Sequence, residues 1–238
     1  MGKNLVQQAR GKGGPRYRAP SFRYKGEAKY AKQLQDTMVG VIKDIIQCPG
    51  HSGPLVEVEY ENGQWALMQA PEDVRVGERV VMSSDAEIKN GNVIPLKSIP
   101  EGTAVFNIEA SPGDGGKFVK ASGGFGKIVT KTEDKIVVQL PSSKLRDFLP
   151  ECRATIGIVA GSGKKEKPFL KAGKKFFAKR AKNKLYPIVS GISQNAVDHP
   201  FGGKGSHTKG RPTQSPRSAP PGRKVGKIAP SRTGRTKR

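Results

Sequence analysis

Between Val56 and Glu61 the chain alternates without a break, Val56, Val58 and Tyr60 against Glu57, Glu59 and Glu61. A period of two places one set on a buried sheet face and the other in water, so this stretch predicts a strand. Thr37 to Gln47, rich in β-branched and apolar residues, predicts another. Asn62-Gly63 predicts a type I′ hairpin that returns as Trp65 to Met68. Val80 to Ser83 reads as a short strand, and a second Asn-Gly pair, Asn90-Gly91, precedes Val93 to Leu96. Further strands fit Ala104 to Glu109, Lys127 to Thr132, Lys135 to Leu140 and Arg153 to Ala160, with Glu133-Asp134 as a tight polar turn. Short strands with frequent turn signals suggest small barrels rather than a βαβ sheet. The roughly 127 residues involved suit two barrels, with a seam near Asp85–Asn90.

Outside this region the pattern lapses. Residues 164–185 predict at most a short basic helix around Lys174 to Lys182. From Pro200 to Arg238 there is almost no apolar periodicity. Such a segment cannot offset its ordering entropy by burial, and is expected to order only against a partner. Residues 1–36 interleave Arg and Lys with Tyr17, Phe22, Tyr24 and Tyr30.

Charge follows the same division. The net of +23 splits into +7 for residues 1–36, −6 for 37–110, +3 for 111–163 and +19 for 164–238. A near-neutral folded middle between two cationic ends points to a polyanion, and nucleic acid is the commonest one. Lys and Arg on a flexible Gly/Pro chain suit phosphate contacts, and interleaved aromatics suit unpaired bases. Domain limits are accordingly expected at 1–36, 37–87, 88–163 and 164–238.

Other chemistry is thinly represented. Cys48 and Cys152 have no CxxC partner and no His at ligand spacing, so buried free thiols are expected and a metal site is not. Gly157 to Lys164 superficially resembles a phosphate loop, but five residues separate Gly157 from Gly163 and Lys165 takes the hydroxyl position. In Ser111 to Lys117 a hairpin connection and a phosphate-binding nest of backbone N–H groups are equally consistent with the residues. His199 follows Asp198, which invites a general-base role, yet no Ser or Cys nucleophile is indicated. A DNA-compacting protein is a third class, but compaction needs no neutral two-barrel middle. No apolar run approaches a membrane span and no signal segment is read, so a cytoplasmic protein without membrane contact is expected.

The stretch NAVDHPFGG at Asn195 to Gly203 resembles the signature of the L-two family of universal large-subunit ribosomal proteins. SPGDGGKFVKASG from Ser111, RATIGIVAGSGK from Arg153 and KPFLKAGKK from Lys167 agree with it. APPGRKVGKIA from Ala219 and the opening GPRYRAPSFRYK are similar to the archaeal form. Gln194, where many members have Met, and Tyr186, where Trp is usual, depart from the pattern.

The resemblance implies an all-β fold, an OB-like barrel followed by an SH3-like barrel, flanked by extended basic N- and C-terminal arms. It implies a non-enzymatic constituent of the large ribosomal subunit with no cofactor beyond magnesium carried by the RNA. Its implied partners are large-subunit ribosomal RNA, neighbouring large-subunit proteins, and the small subunit at an intersubunit bridge. Asn195, Asp198, His199, Pro200, Gly202 and Gly203 match the loop that reaches toward the peptidyl transferase centre. Further RNA contacts are expected from Arg16, Arg18 and Arg23 in the opening segment, from Lys117 and Arg153 in the middle, and from Lys164, Lys171, Lys174, Lys175, Lys204, Arg223 and Lys224 in the tail.

Overall fold

The computed structural model describes residues 5–32, 36–164, 166–205 and 207–232. The chain divides into two compact units, one of Ser21–Leu170 and one of Met1–Pro20 with Lys171–Arg238. The fold is all-β, with twelve strands and two α-helices among the described residues.

Ten strands of the first unit form one continuous sheet. They are β1 (Thr37–Ile46), β2 (Leu55–Tyr60), β3 (Trp65–Gln69), β4 (Arg79–Ser83), β5 (Val93–Pro95), β6 (Ala104–Phe106), β7 (Gly126–Lys131), β8 (Ile136–Gln139), β9 (Leu145–Phe148) and β10 (Arg153–Ile156). Their order is β3-β2-β1-β4-β5-β10-β6-β7-β8-β9, and every pairing is antiparallel except β4 with β5. On β2 the alternation resolves as expected, with Val56, Val58 and Tyr60 buried and the glutamates turned outward.

The sheet wraps around two apolar cores. The first gathers Met38, Ile42, Val56, Val58, Tyr60, Met68, Val80 and Met82. The second gathers Ile94, Leu96, Val105, Ile108, Ile128, Ile136, Val138, Phe148 and Ile156. Val93 belongs to the first core and Ile94 to the second, because successive side chains of β5 point to opposite faces. Both cysteines are free and buried, and burial pushes the Cys152 thiol up to about 11.

Several boundaries differ from the sequence pattern for local reasons. The first hairpin is not type I′, which needs positive φ at both central residues. Here Gly63 has φ 78°, Asn62 is not in the left-handed region, and Tyr60 pairs with Gln64 around a three-residue loop. The strand expected over Ala104 to Glu109 stops at Phe106, since Asn107 turns left-handed at φ 50°. That turn sends Ile108 to a bridge with Phe118 and Glu109 inward. The strand expected over Arg153 to Ala160 ends at Ile156, before Gly157 at φ 110°, where a Cβ would overlap the Asn90 side chain. Strand β9 had no alternating signal because it is an edge strand with only Phe148 in the core.

The largest difference lies upstream of β1. Residues 21–32, expected to belong to a basic arm, are part of the strand unit, and Ala28, Tyr30 and Ala31 are buried there. Lys29 N–H donates to the Leu67 carbonyl at 2.8 Å and Tyr30 N–H to the Gly115 carbonyl at 3.1 Å. The Tyr30 hydroxyl bonds the Asn107 carbonyl and Thr155 Oγ1, both at 2.7 Å, and burial pushes it far above the usual phenol range. Tyr30 is therefore a core strap rather than an aromatic available to a base.

In the second unit, α1 (Val6–Gly11) and a 3-10 turn at Pro15–Tyr17 precede Pro20. The Leu5 side chain lies over Gly222, and the Asn183 amide donates to the Tyr17 carbonyl. The basic helix α2 spans Ala172–Arg180, two residues earlier at each end than the pattern suggested. The tail is not featureless. Strands β11 (Gln214–Ser215) and β12 (Lys227–Ile228) pair in parallel. Four prolines between Arg211 and Gly222 restrict φ, and Phe201 and Ala219 are buried. Its last six residues, 233–238, lie outside the described ones.

Candidate nucleic-acid interface

The two units differ sharply in charge. Residues 21–170 hold 20 basic and 19 acidic residues, a net of +1. Residues 1–20 with 171–238 hold 23 basic residues against Asp198 alone, a net of +22. Nearly all of the protein's excess charge therefore sits in one unit, and its basic side chains find almost no internal carboxylates. Such a unit is self-repelling unless an external polyanion lies against it.

Within that unit the 190–203 loop is closely determined by its glycines. Gly191–Ser193 forms a 3-10 turn, and Gln194 N–H caps it on the Gly191 carbonyl at 3.3 Å. Asp198 and His199 N–H both donate to the Asn195 carbonyl, at 2.9 and 3.1 Å, so the backbone doubles back at once. Gly202 N–H reaches the His199 carbonyl at 2.9 Å, and Gly203 N–H the Gln194 carbonyl at 3.2 Å. A Cβ on Gly202 would collide with the Asn195 carbonyl, and one on Gly191 would overlap the His199 imidazole. Gly203 has φ 92°, which a side chain would strain.

His199 is held from two sides. Its Nδ1 accepts Phe201 N–H at 3.1 Å, and its ring meets that of Phe201 edge-on at 5.1 Å. With Nδ1 an acceptor, the ring proton belongs on Nε2, which leaves the imidazole an N–H donor. This is the geometry of a positioned donor, not of a base paired with a nucleophile. Replacing Gly191 with Ala is expected to eject the ring and break the Phe201 contact. Loss of one hydrogen bond of about 1 kcal/mol would speed exchange of the Phe201 amide hydrogen roughly fivefold. An unchanged exchange rate would contradict that packing.

The remaining tail candidates are spread over the same unit. Lys171 and Lys174 are exposed on or beside α2, which buries no side chain. Lys175 Nζ lies 5.3 Å from the Tyr186 ring centroid, and Phe176 and Phe177 stand exposed on the same helix. Asn195, Asp198, Gly203 and Lys204 are exposed, while Gly202 is buried beneath the loop. Arg223 is exposed and Lys224 half-buried, in the turn that Ser215 closes by hydrogen-bonding the Arg223 and Val225 carbonyls at 3.1 and 2.7 Å. Arg16 and Arg18 are exposed around the Pro15–Tyr17 turn.

In the strand unit the candidates fare differently. Arg23 is exposed, 5.3 Å from the Phe22 ring centroid, and Lys164 is exposed with Nζ on the Ser52 carbonyl at 2.8 Å. Arg153 is not an RNA contact. It is buried, its Nη2 2.6 Å from Glu109 Oε1 and its Nε 3.1 Å from both carboxylate oxygens, with its guanidinium 5.4 Å from the Tyr30 ring centroid. A sequence reading weighs its charge and cannot see the Glu109 brought to it by the turn at Asn107.

The Ser111 to Lys117 loop does not form a phosphate nest either. Asp114 takes the Ala110, Ser111 and Gly116 N–H groups at 3.0, 3.3 and 3.0 Å, and Glu109 takes Gly115 N–H at 3.1 Å. Those donors are already satisfied. Lys117 stays exposed beside the loop. Lys120 turns inward to the Ala28 and Gly116 carbonyls at 2.6 and 3.2 Å, and burial holds its ammonium below the usual range. Arg211, Gln214 and Phe201 line one cavity of the basic unit; the first two had no signal beyond membership in the tail, and Phe201 lies inside the 195–203 motif without being singled out as a contact.

Among the described residues, no cluster of three or more His, Cys, Asp or Glu side chains could hold a metal, and no helix is long and apolar enough to cross a membrane. A near-neutral all-β unit joined to a strongly cationic, aromatic-bearing one is the build of a polyanion-binding scaffold. The profile described as Ribosomal Proteins L2, C-terminal domain, matches residues 89–219. The large ribosomal subunit protein uL2 of Methanothermobacter thermautotrophicus is 49% identical over 239 residues, covering 99% of each chain. That of Halorubrum lacusprofundi is 51% identical over 236 residues, 99% of this chain and 98% of its own. That of Methanococcus aeolicus is 48% identical over 239 residues, 99% of this chain and all of its own. The chain belongs to the uL2 family of large-ribosomal-subunit proteins, a structural and non-enzymatic family.

Proposed function

We propose that this protein is a structural constituent of the large ribosomal subunit in the cytoplasm, and that it binds large-subunit ribosomal RNA chiefly through the unit of residues 1–20 and 171–238. The single observation that carries this is the division of charge, +22 on that unit and +1 on the strand unit. Phosphate neutralisation would then come from Arg16, Arg18, Lys171, Lys174, Lys175, Lys204, Arg223 and Lys224, with Arg23, Lys117 and Lys164 as contacts at the strand unit's surface. The 190–203 loop carries a different task. Its backbone is fixed by internal hydrogen bonds, so Asn195, Asp198 and the His199 Nε2–H are presented as a shaped surface of donors and acceptors.

In the family's terms, this loop would help organise the RNA of the peptidyl transferase centre. The protein would also support subunit association through an intersubunit bridge and meet neighbouring large-subunit proteins. Magnesium enters only as an ion of the RNA. His199 acts as an RNA-positioning donor, and peptide-bond formation is left to the RNA itself.

The test is sedimentation through a high-salt gradient. The protein is expected to travel with the large subunit at salt that strips loosely held factors. Recovery in the free-protein fraction at moderate salt would overturn the proposal.

A further inference from the structure

The basic unit contains a cavity of about 280 Å³ lined by Pro200, Phe201, Arg211, Pro212, Gln214, Ser215, Arg223 and Val225. We infer that this cavity receives one unstacked base of the RNA, with the flanking phosphates on Arg211 and Arg223. The inference rests on the RNA-binding function proposed above and names a recognition element within it.

The walls are built before any ligand arrives. Pairing of Gln214 with Lys227 and Ser215 with Ile228 fixes one side. The Ser215 hydroxyl ties down the Val225 carbonyl at 2.7 Å on the other. Gly226 has φ 76°, and a Cβ there would collide with the Thr213 carbonyl, so the turn closes only without a side chain. The Phe201 ring packs against that of His199, with centroids 5.1 Å apart. The cavity is therefore a consequence of the 190–203 loop and the β11–β12 pair together.

Its chemistry matches a base better than other small groups. Pro200, Phe201, Pro212 and Val225 give an apolar, partly aromatic lining, the surface on which a base stacks. Gln214, half-buried in the wall, carries both a donor and an acceptor, as a base edge requires. Arg211 and Arg223 are exposed, and no Asp or Glu follows Asp198 in the chain, so both guanidiniums suit phosphates. The volume lies just under the roughly 300 Å³ lower limit of drug-sized pockets, which fits one ring system and not a run of nucleotides.

The test uses the full chain and three RNA hairpins, at salt that screens non-specific contacts. One hairpin carries a single bulged adenosine, one is fully paired, and one has an abasic residue at the bulge. The bulged hairpin is expected to bind roughly tenfold more tightly than the other two, since stacking of one base supplies that order of discrimination. A Val225→Trp variant, which fills the cavity, is expected to bring the ratio of bulged to paired affinity to one.

Equal binding of all three hairpins would overturn the base pocket while leaving the RNA-binding function intact. An abasic bulge bound as tightly as the adenosine would overturn it too, because the kink and not the base would then be recognised. Absence of binding to any hairpin at any salt would overturn both. The abasic comparison uses the unaltered chain, so it decides even where the Trp variant does not fold.

Discussion

Glu109→Ala is expected to lower the free energy of unfolding by about 3–5 kcal/mol, because it leaves the Arg153 guanidinium buried without a counter-charge. That is a large share of the roughly 5–15 kcal/mol that stabilises an ordinary domain. The carboxylate also accepts Arg153 N–H at 2.9 Å and Gly115 N–H at 3.1 Å, so three donor groups on two residues lose their acceptor together. Exchanging both partners, Glu109→Leu with Arg153→Met, should cost far less, since neither charge then remains in the interior. Urea denaturation of the two variants measures the difference. A Glu109→Ala loss under about 1 kcal/mol, the range of an exposed ion pair, would show that water reaches Arg153.

The second large effect concerns binding. If about ten phosphates are neutralised, the full chain should lose affinity for large-subunit RNA with a log–log salt slope of roughly −7 to −9. A chain of residues 21–170, with a net charge of +1, should bind much more weakly and with a slope several-fold shallower. The truncation must begin at Ser21 rather than Thr37, since a cut at Thr37 removes Tyr30 and opens the core it seals. Filter binding at a series of salt concentrations supplies both slopes. Equal affinity for the fragment and the full chain would place RNA binding on the strand unit.

Much of the strand unit was legible in the residues. Val56 to Glu61 announced its strand because one face is dry and the other wet. The Asn-Gly pair at 62–63 announced its turn, although the loop is one residue longer than the signal implied. Strand β9 was not legible, because an edge strand with one inward residue has no alternation to show. Tyr30 and Arg153 misled for a common reason. Tyr30 sits in a basic stretch and Arg153 carries a charge of its own, and only the fold brings Thr155 to one and Glu109 to the other. In the tail, charge and glycine content pointed to RNA, and the 190–203 motif stood out on its residues alone. The packing of His199 against Gly191 and Phe201 depends on a backbone reversal that no periodicity records.

The strap at Tyr30 has a consequence in time. Its hydroxyl is secured by Thr155, 125 positions later in the chain, so a segment that leaves the translating ribosome early has no final partner until most of the unit has been made. Contacts of such long sequence separation form late, and chains rich in them fold slowly. During that interval the apolar surfaces awaiting Ala28, Tyr30 and Ala31 stay open to solvent, which leaves the nascent chain prone to self-association. Docking of the strap ends that exposure, and the earliest-made part of the strand unit is among the last to be fixed.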